Sequence, residues 1–192
     1  MNREFIAKHW YAFIYEQFEN QTNDVEFLLN MLHKHTDGSP QKILEVACGS
    51  GRICIPLAQA GHIVTGFDAD EHMLLRCYRR MKGISNITCY SADALISDWG
   101  SDFDVVVLGG NLLINIETDM DYMQAQQTLI QKAALALKHG GHLFLDFDLH
   151  YDPARVFNEL GESSYFSGTD DIGTWGRTVS YGSVYDPVTR IC

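Results

Sequence analysis

The sequence predicts an α/β fold with a doubly wound, mostly parallel sheet, and three observations carry that prediction. Short β-branched runs alternate with longer amphipathic stretches from Gln41 to about residue 150. One run, Phe103-Asp104-Val105-Val106-Val107-Leu108, is almost continuously apolar, as a central parallel strand buried on both faces must be. Each run closes on small or polar residues, and sheets of this kind hold their ligands at those carboxyl ends.

Taken in order, residues 3 to about 19 place Phe5, Ile6, His9, Trp10, Phe13, Ile14 and Phe18 on a broad helical stripe. Tyr11 and Tyr15 are four apart and share a face. This helix either packs on the domain or acts as a lid whose tyrosines close over a pocket. A second helix from about Val25 to His35 stops before the breakers Asp37-Gly38-Ser39-Pro40. Lys42 to Ala47 is the first strand, and a helix from about Gly51 to Ala60 tolerates Pro56 in its early part. His62 to Phe67 is a strand ending on Asp68, and Asp70 is placed to cap a helix running to Met81. Ile87 to Tyr90 and Phe103 to Leu108 are strands, closed by Ser91-Ala92-Asp93-Ala94 and Gly109-Gly110-Asn111. Asp119 to Lys138 reads as a long helix and His142 to Phe147 as the fifth strand, with Asp146 and Asp148 near its end.

Beyond Tyr151 a short helix is expected over Pro153 to Leu160. Strands over Trp175 to Val184 and Val188 to Cys192 would flank a hairpin turn at Tyr185-Asp186-Pro187. The expected division is an N-terminal helical lid over 1–40, a ligand-binding α/β domain over 41–150, and a β-rich lid segment over 151–192. The last is expected to be incomplete, because the pattern stops midway.

Composition narrows the function. The net charge of −11, from 14 basic and 25 acidic residues, argues against non-specific nucleic-acid binding and against attachment to anionic membranes. The basic cluster Arg76, Arg79, Arg80 and Lys82 is spaced like one solvated helix face. No run of about 18 apolar residues is present, and MNREFIAKHW lacks the apolar core of a signal peptide. The five cysteines form no C-x-x-C pair, which points to a reduced, cytoplasmic protein with its cysteines packed in the core or behind the site. His33 and His35, two apart, point away from each other on a helix, and no metal site is expected.

The chemistry centres on ILEVACGSGR. Gly49 and Gly51 supply a tight turn and a backbone that a ligand can approach closely. One acid, Glu45, precedes the turn; Asp68 follows Gly49 by 19 positions, and Asp93 follows the third strand. An acid about 20 residues past a glycine turn is placed to accept hydrogen bonds from ribose hydroxyls. That restricts the ligand to a nucleoside-containing cofactor, with NAD, FAD and S-adenosylmethionine all admissible. The full G-x-G-x-x-G fingerprint is missing, since Cys54 stands at its third position, and no G-x-x-x-x-G-K-[ST] loop exists.

ILEVACGSGR, GFDAD, SADA, FDVVVLGGN and LALKHGGHLFLDF, in this order over about Gln41 to Asp148, resemble the motifs of class I S-adenosylmethionine-dependent methyltransferases. The helix carrying Tyr11 and Tyr15 and the β-rich tail resemble small-molecule members with a β-strand lid. Ala47 departs from the pattern, standing where the family most often has a glycine. The resemblance implies that Ala47, Cys48, Gly49 and Gly51 contact the methionine part of the cofactor and that Glu45 fixes its amino end. It implies that Asp68 accepts both ribose hydroxyls, with Ala69 and Met73 beside the adenosine. Asp93 would bond the adenine amino group with Ala94 nearby, while Leu108, Gly109 and Asn111 line the methyl-donor side. Tyr11 is a further cofactor contact on this reading.

Simpler roles stand beside these: Glu45 as a helix cap, Asp68 as an N-cap, Asp93 as a helix start and Asn111 as a turn former. Direct in-line transfer to an N or O atom needs a base only if the acceptor must lose a proton. The candidates are His150, Tyr151 and Asp148, with Tyr15 able to orient an acceptor. The fourth strand is not followed by [DN]PP[YF], and no Pro-Cys pair of the cytosine-modifying kind is present, which favours a small-molecule acceptor. The alternatives are an NAD-type oxidoreductase and a cofactor-binding module without catalysis.

Overall fold

In the computed structural model, residues 3–19, 21–149, 151–157, 162–181 and 186–188 are described. Five strands, β1 (Lys42–Val46), β2 (Ile63–Asp68), β3 (Ile87–Ser91), β4 (Phe103–Leu108) and β5 (Leu137–Leu145), form one parallel sheet in the order β3-β2-β1-β4-β5. The order reverses beside β1, so the switch point, where such sheets bind ligands, lies between β1 and β4. β1 is flanked on both sides, with Leu44 opposite Thr65 of β2 and Val106 of β4.

Alternation of side chains across the strands produces two cores. On one face Ile43, Val64, Ile87, Val105 and Val107 pack with residues of α2 (Asn23–His35), α3 (Cys54–Gln59) and α4 (Glu71–Arg80), among them Leu28, Leu32, Leu57 and Leu74. On the other, Leu44, Val46, Phe67, Val106 and Leu108 pack with Trp99 and with Leu129 and Ala133 of α5 (Tyr122–Ala136). Both faces of β1 and β4 are therefore covered, which is why Val105 to Leu108 of β4 reads as a continuous apolar run. Full burial of each large side chain contributes about 1.5–3 kcal/mol. Asp104 locks the sheet's lower edge: the Lys42 N–H donates to Oδ2 at 2.6 Å, and Lys138 pairs with Oδ1.

Two boundaries differ from expectation. The long helix begins at Tyr122 because Asp121 caps it, its Oδ1 accepting from the Gln124 N–H at 3.0 Å. It ends at Ala136 because Leu137 already pairs with Phe103, so the strand starts before the Gly140-Gly141 irregularity that the sequence marks as a stop. Among the described residues β5 is an edge strand, and Leu143 and Leu145 are more than a third exposed. Arg76 corrects a second expectation: far from a solvated face, it is buried and ion-paired with Glu16.

The chain divides into two compact units, Glu16–Phe147 and a second joining Met1–Tyr15 to Asp148–Cys192. The second contains most of α1 (Arg3–Phe18), α6 (Pro153–Phe157) and the antiparallel pair β6 (Glu162–Thr169) and β7 (Trp175–Tyr181). Of the expected α1 stripe, His9 and Ile14 are buried, while Phe5 and Phe18 are more than 40% exposed. The Trp10 indole packs on Gly176 of β7 where only glycine fits: a Cβ there would come within 2.5 Å of the ring. A hairpin that was not expected joins β6 to β7 through Asp170 to Thr174. There Asp170 Oδ1 accepts from the Ile172 and Thr174 N–H groups, and Gly173 takes φ +85°. Tyr185 and the strand expected beyond Val188 lie outside the described residues, as does the end of the helix expected over Pro153 to Leu160.

Candidate functional site

The turn after β1 is built as its residue types require. Gly49 has φ +53° and donates its N–H to Asp68 Oδ2 at 2.8 Å. Gly51 has φ +86°, and a Cβ there would meet Ile55 at 2.6 Å and the Cys77 sulfur at 2.9 Å. Ala47 shares the left-handed region at φ 57°, so the one departure from the glycine pattern sits where a side chain is strained. α3 has only six residues, so the ligand contact rests on the turn's backbone rather than on a long helix dipole.

Asp68 does more than cap. Its Oδ2 holds Gly49, and its Oδ1 accepts from the Asp70 N–H at 2.8 Å. The helix cap itself is Asp70, whose Oδ1 accepts from the N–H groups of His72 and Met73. Each Asp68 oxygen therefore keeps an acceptor position for a ligand hydroxyl. Burial pushes the Asp68 carboxyl above its ordinary range, partly offset by these two backbone bonds.

Asp93 is exposed and its Oδ1 accepts from the Leu95 N–H at 2.7 Å, so it does start a turn. That turn is pinned from behind by Lys132, which donates to the carbonyls of Leu95 and Ser97, and by Trp99 Nε1, which donates to Ala94. A cleft of about 220 Å³ joins these parts: Ala47, Asp68, Ala69, Asp93 and Ala94 line it, facing Leu112, Asn115 and Ile116. The segment from Leu112 to Glu117 was not singled out in the sequence, although it directly follows the strand-end residues that were. Met73 is buried, its methyl 3.7 Å from the position of a Cβ on Gly49.

A second, smaller cavity of about 100 Å³ lies at the ends of β4 and β5, lined by Asp24, Ile53, Leu108, Gly109 and Asp146. Asn111 adopts φ 63°, and its N–H donates to Asp146 Oδ1 at 3.0 Å, so it is indeed a turn former. Leu108 is fully buried, and a Cβ on Gly109 would lie 2.5 Å from Ile53.

Glu45 is buried on the Ile43 side of β1. Burial raises its carboxyl to about 8 against hydrogen bonds from Cys54 and the nearby charge of Arg52. Its Oε2 has no hydrogen-bond partner, an orphaned acceptor of the kind a ligand's ammonium group would satisfy. Cys48 is buried behind the turn, together with three further cysteines that sequence spacing did not connect. Tyr11 is exposed, Tyr15 is half-buried and Tyr151 is fully exposed, all three in the second unit; His150 lies outside the described residues. No helix among the described residues is long and apolar enough to cross a membrane.

A parallel sheet with a glycine turn, a ribose-type acid and a third acid around one cleft defines a nucleoside-cofactor domain. Residues 43–141 match the family model described as a methyltransferase domain. The chain belongs to the class I S-adenosylmethionine-dependent methyltransferase family, whose cofactor is S-adenosylmethionine. It is 30% identical over 132 residues to YqeM of Bacillus subtilis, whose name places it among methyltransferases, covering 68% of this chain and 51% of that protein. It is 29% identical over 167 residues to the mitochondrial ubiquinone biosynthesis O-methyltransferase of Homo sapiens, covering 80% and 42%. Among solved structures, the N-methyltransferase NodS of Bradyrhizobium japonicum, in complex with S-adenosyl-L-homocysteine, superposes with a TM-score of 0.53 at 24% identity over 66% of this chain and 63% of that one. The chain spans about half the length of the curated relatives it matches.

Proposed function

We propose that the chain carries the cofactor-binding domain of an enzyme that transfers a methyl group directly to an N or O atom of a small molecule. The observation that carries this reading is Asp68, held by the Gly49 and Asp70 N–H groups yet lining the cleft with acceptor positions to spare. The bound cofactor supplies an already activated methyl group on a sulfonium. The protein's work is then positioning, for which pre-organisation contributes up to about 7–11 kcal/mol. Asp68 fixes the ribose, Asp93 the adenine amino group, and Glu45, ionised by the partner it gains, the amino end. Leu108, Gly109 and Asn111 shape the methyl-donor side. Where the acceptor must lose a proton, His150, Tyr151 or Asp148 takes it, and Tyr11 and Tyr15 orient cofactor and acceptor in a lid formed with the β-rich segment.

The acidic surface and the relatives named for ubiquinone O-methylation and for N-methylation support a small acceptor with an oxygen or nitrogen nucleophile. Four buried free thiols support a reducing, cytoplasmic setting. The test is calorimetric titration of the chain with S-adenosylmethionine, then of Asp68→Ala. Two lost hydrogen bonds at about 1–1.5 kcal/mol each predict a 30- to 150-fold weaker complex. Unchanged affinity removes the ribose contact, and thermal stabilisation by NAD alone overturns the reading. Methyl transfer to a protein substrate but to no phenol or amine in a small-molecule panel overturns the acceptor assignment.

A further inference from the structure

Four of the five cysteines meet at one point behind the cofactor turn. Cys48 lies in the turn, Cys54 opens α3, Cys77 lies on α4 and Cys89 on β3, so four elements contribute one sulfur each. All four are buried and free, and their sulfurs lie within 4.8 Å of one another. The Cys77 thiol approaches the Cys89 sulfur at 3.5 Å. Room for the cluster is made by glycines: a Cβ on Gly66 would lie 3.0 Å from the Cys48 sulfur and 3.2 Å from that of Cys89, and one on Gly51 would lie 2.9 Å from Cys77. A single buried cysteine serves as a small apolar filler. Four converging sulfurs from four elements, with glycine backbone cleared around them, form a ligand set.

We propose that Cys48, Cys54, Cys77 and Cys89 form a closed four-thiolate site for one zinc ion that stiffens the cofactor turn. Tetrahedral zinc with sulfur bonds of about 2.3 Å sets its four sulfurs about 3.8 Å apart, so no pair within 4.8 Å has to close by more than about 1 Å. Binding forms four Zn–S bonds, releases the thiol protons to solvent and leaves a net charge of −2 on the centre, with no change of oxidation state. Arg80, on α4 with Cys77, donates to the Ser50 carbonyl at 3.0 Å and so ties that helix to the cofactor turn. With four protein sulfurs no coordination position stays open, so the ion is structural. Because Cys48 stands between Ala47 and Gly49, its loss loosens the turn that binds S-adenosylmethionine.

The test uses the reduced chain, stripped with a chelator and titrated anaerobically with Co²⁺ in the absence of cofactor and acceptor. The expected result is saturation at one equivalent. It should bring the visible bands of tetrahedral cobalt and an intense near-ultraviolet sulfur-to-cobalt band, both abolished by one equivalent of Zn²⁺. Cys77→Ser and Cys89→Ser should each weaken cobalt binding about tenfold or more. Metal-free protein should bind S-adenosylmethionine more weakly than zinc-loaded protein. A stripped chain that develops no sulfur-to-cobalt band at stoichiometric Co²⁺ overturns the proposal without recourse to any variant. So does a band that survives intact in both serine variants. Neither outcome bears on methyl transfer, which is read separately.

Discussion

Replacing Ala47 with glycine should stabilise the protein, against the usual direction of that substitution. Ala47 stands at φ 57°, where a Cβ crowds the following carbonyl oxygen. The left-handed conformation costs a non-glycine residue about 1–2 kcal/mol. Glycine gives back about 0.5–1 kcal/mol through the extra freedom of its unfolded chain. The net expectation is a gain of about 0.5–1 kcal/mol, worth about 1–4 °C in Tm for a chain of this size. The assay is urea unfolding of the free protein, where the midpoint should rise at unchanged m. The control is Ala133→Gly in α5, a buried helical position, which should lose about 1 kcal/mol or more. A lower midpoint for Ala47→Gly would refute the claim that this backbone is strained, and with it the inference that the turn demands glycine geometry here.

Two further perturbations follow from the same geometry. Glu45 titrates at about 8 in the folded protein against 4.5 ordinarily, so its contribution to stability is complete below about pH 4.5 and is lost as pH rises through about 8. That loss is on the order of 5 kcal/mol at its limit, and Glu45→Gln should flatten the fall in urea midpoint between pH 5 and pH 8; an undiminished fall excludes Glu45 as its source. Gly109→Ala would press a Cβ to 2.5 Å from the Ile53 methyl, which must turn aside into the adjoining cavity, costing about 1 kcal/mol. Adding Ile53→Val removes that methyl and should recover most of the loss, whereas strictly additive midpoints would place the damage elsewhere.

The sheet was legible because its signals are local. The closed apolar run of β4, the glycine turn and the acids at strand ends are patterns within a few residues, and their order reproduces the strand order's consequences. Asp70 as the cap of α4 is likewise a local signal, and it holds in the structure. What escaped depends on contacts across the chain. Arg76 reads as one of four solvated cations until Glu16, 60 positions away, claims it. Asp93 starts a turn, as its sequence context suggests, while its place in the cleft depends on Lys132 from α5. The cysteine cluster joins residues spaced irregularly over 41 positions, and no spacing rule for metal sites finds it. The hairpin between β6 and β7 escaped because Asp170-Asp171-Ile172-Gly173 carries a weak turn signature, yet Asp170 closes its loop with two side-chain bonds.

The outer border of β5 has a colloidal consequence. Among the described residues the strand is hydrogen-bonded to β4 alone, and its other edge runs beside the exposed Leu143 and Leu145. Such a border is a template on which another extended segment can add itself. At high protein concentration this border should therefore favour self-association through strand addition, and a lysine in place of Leu143 should suppress that association without altering cofactor binding.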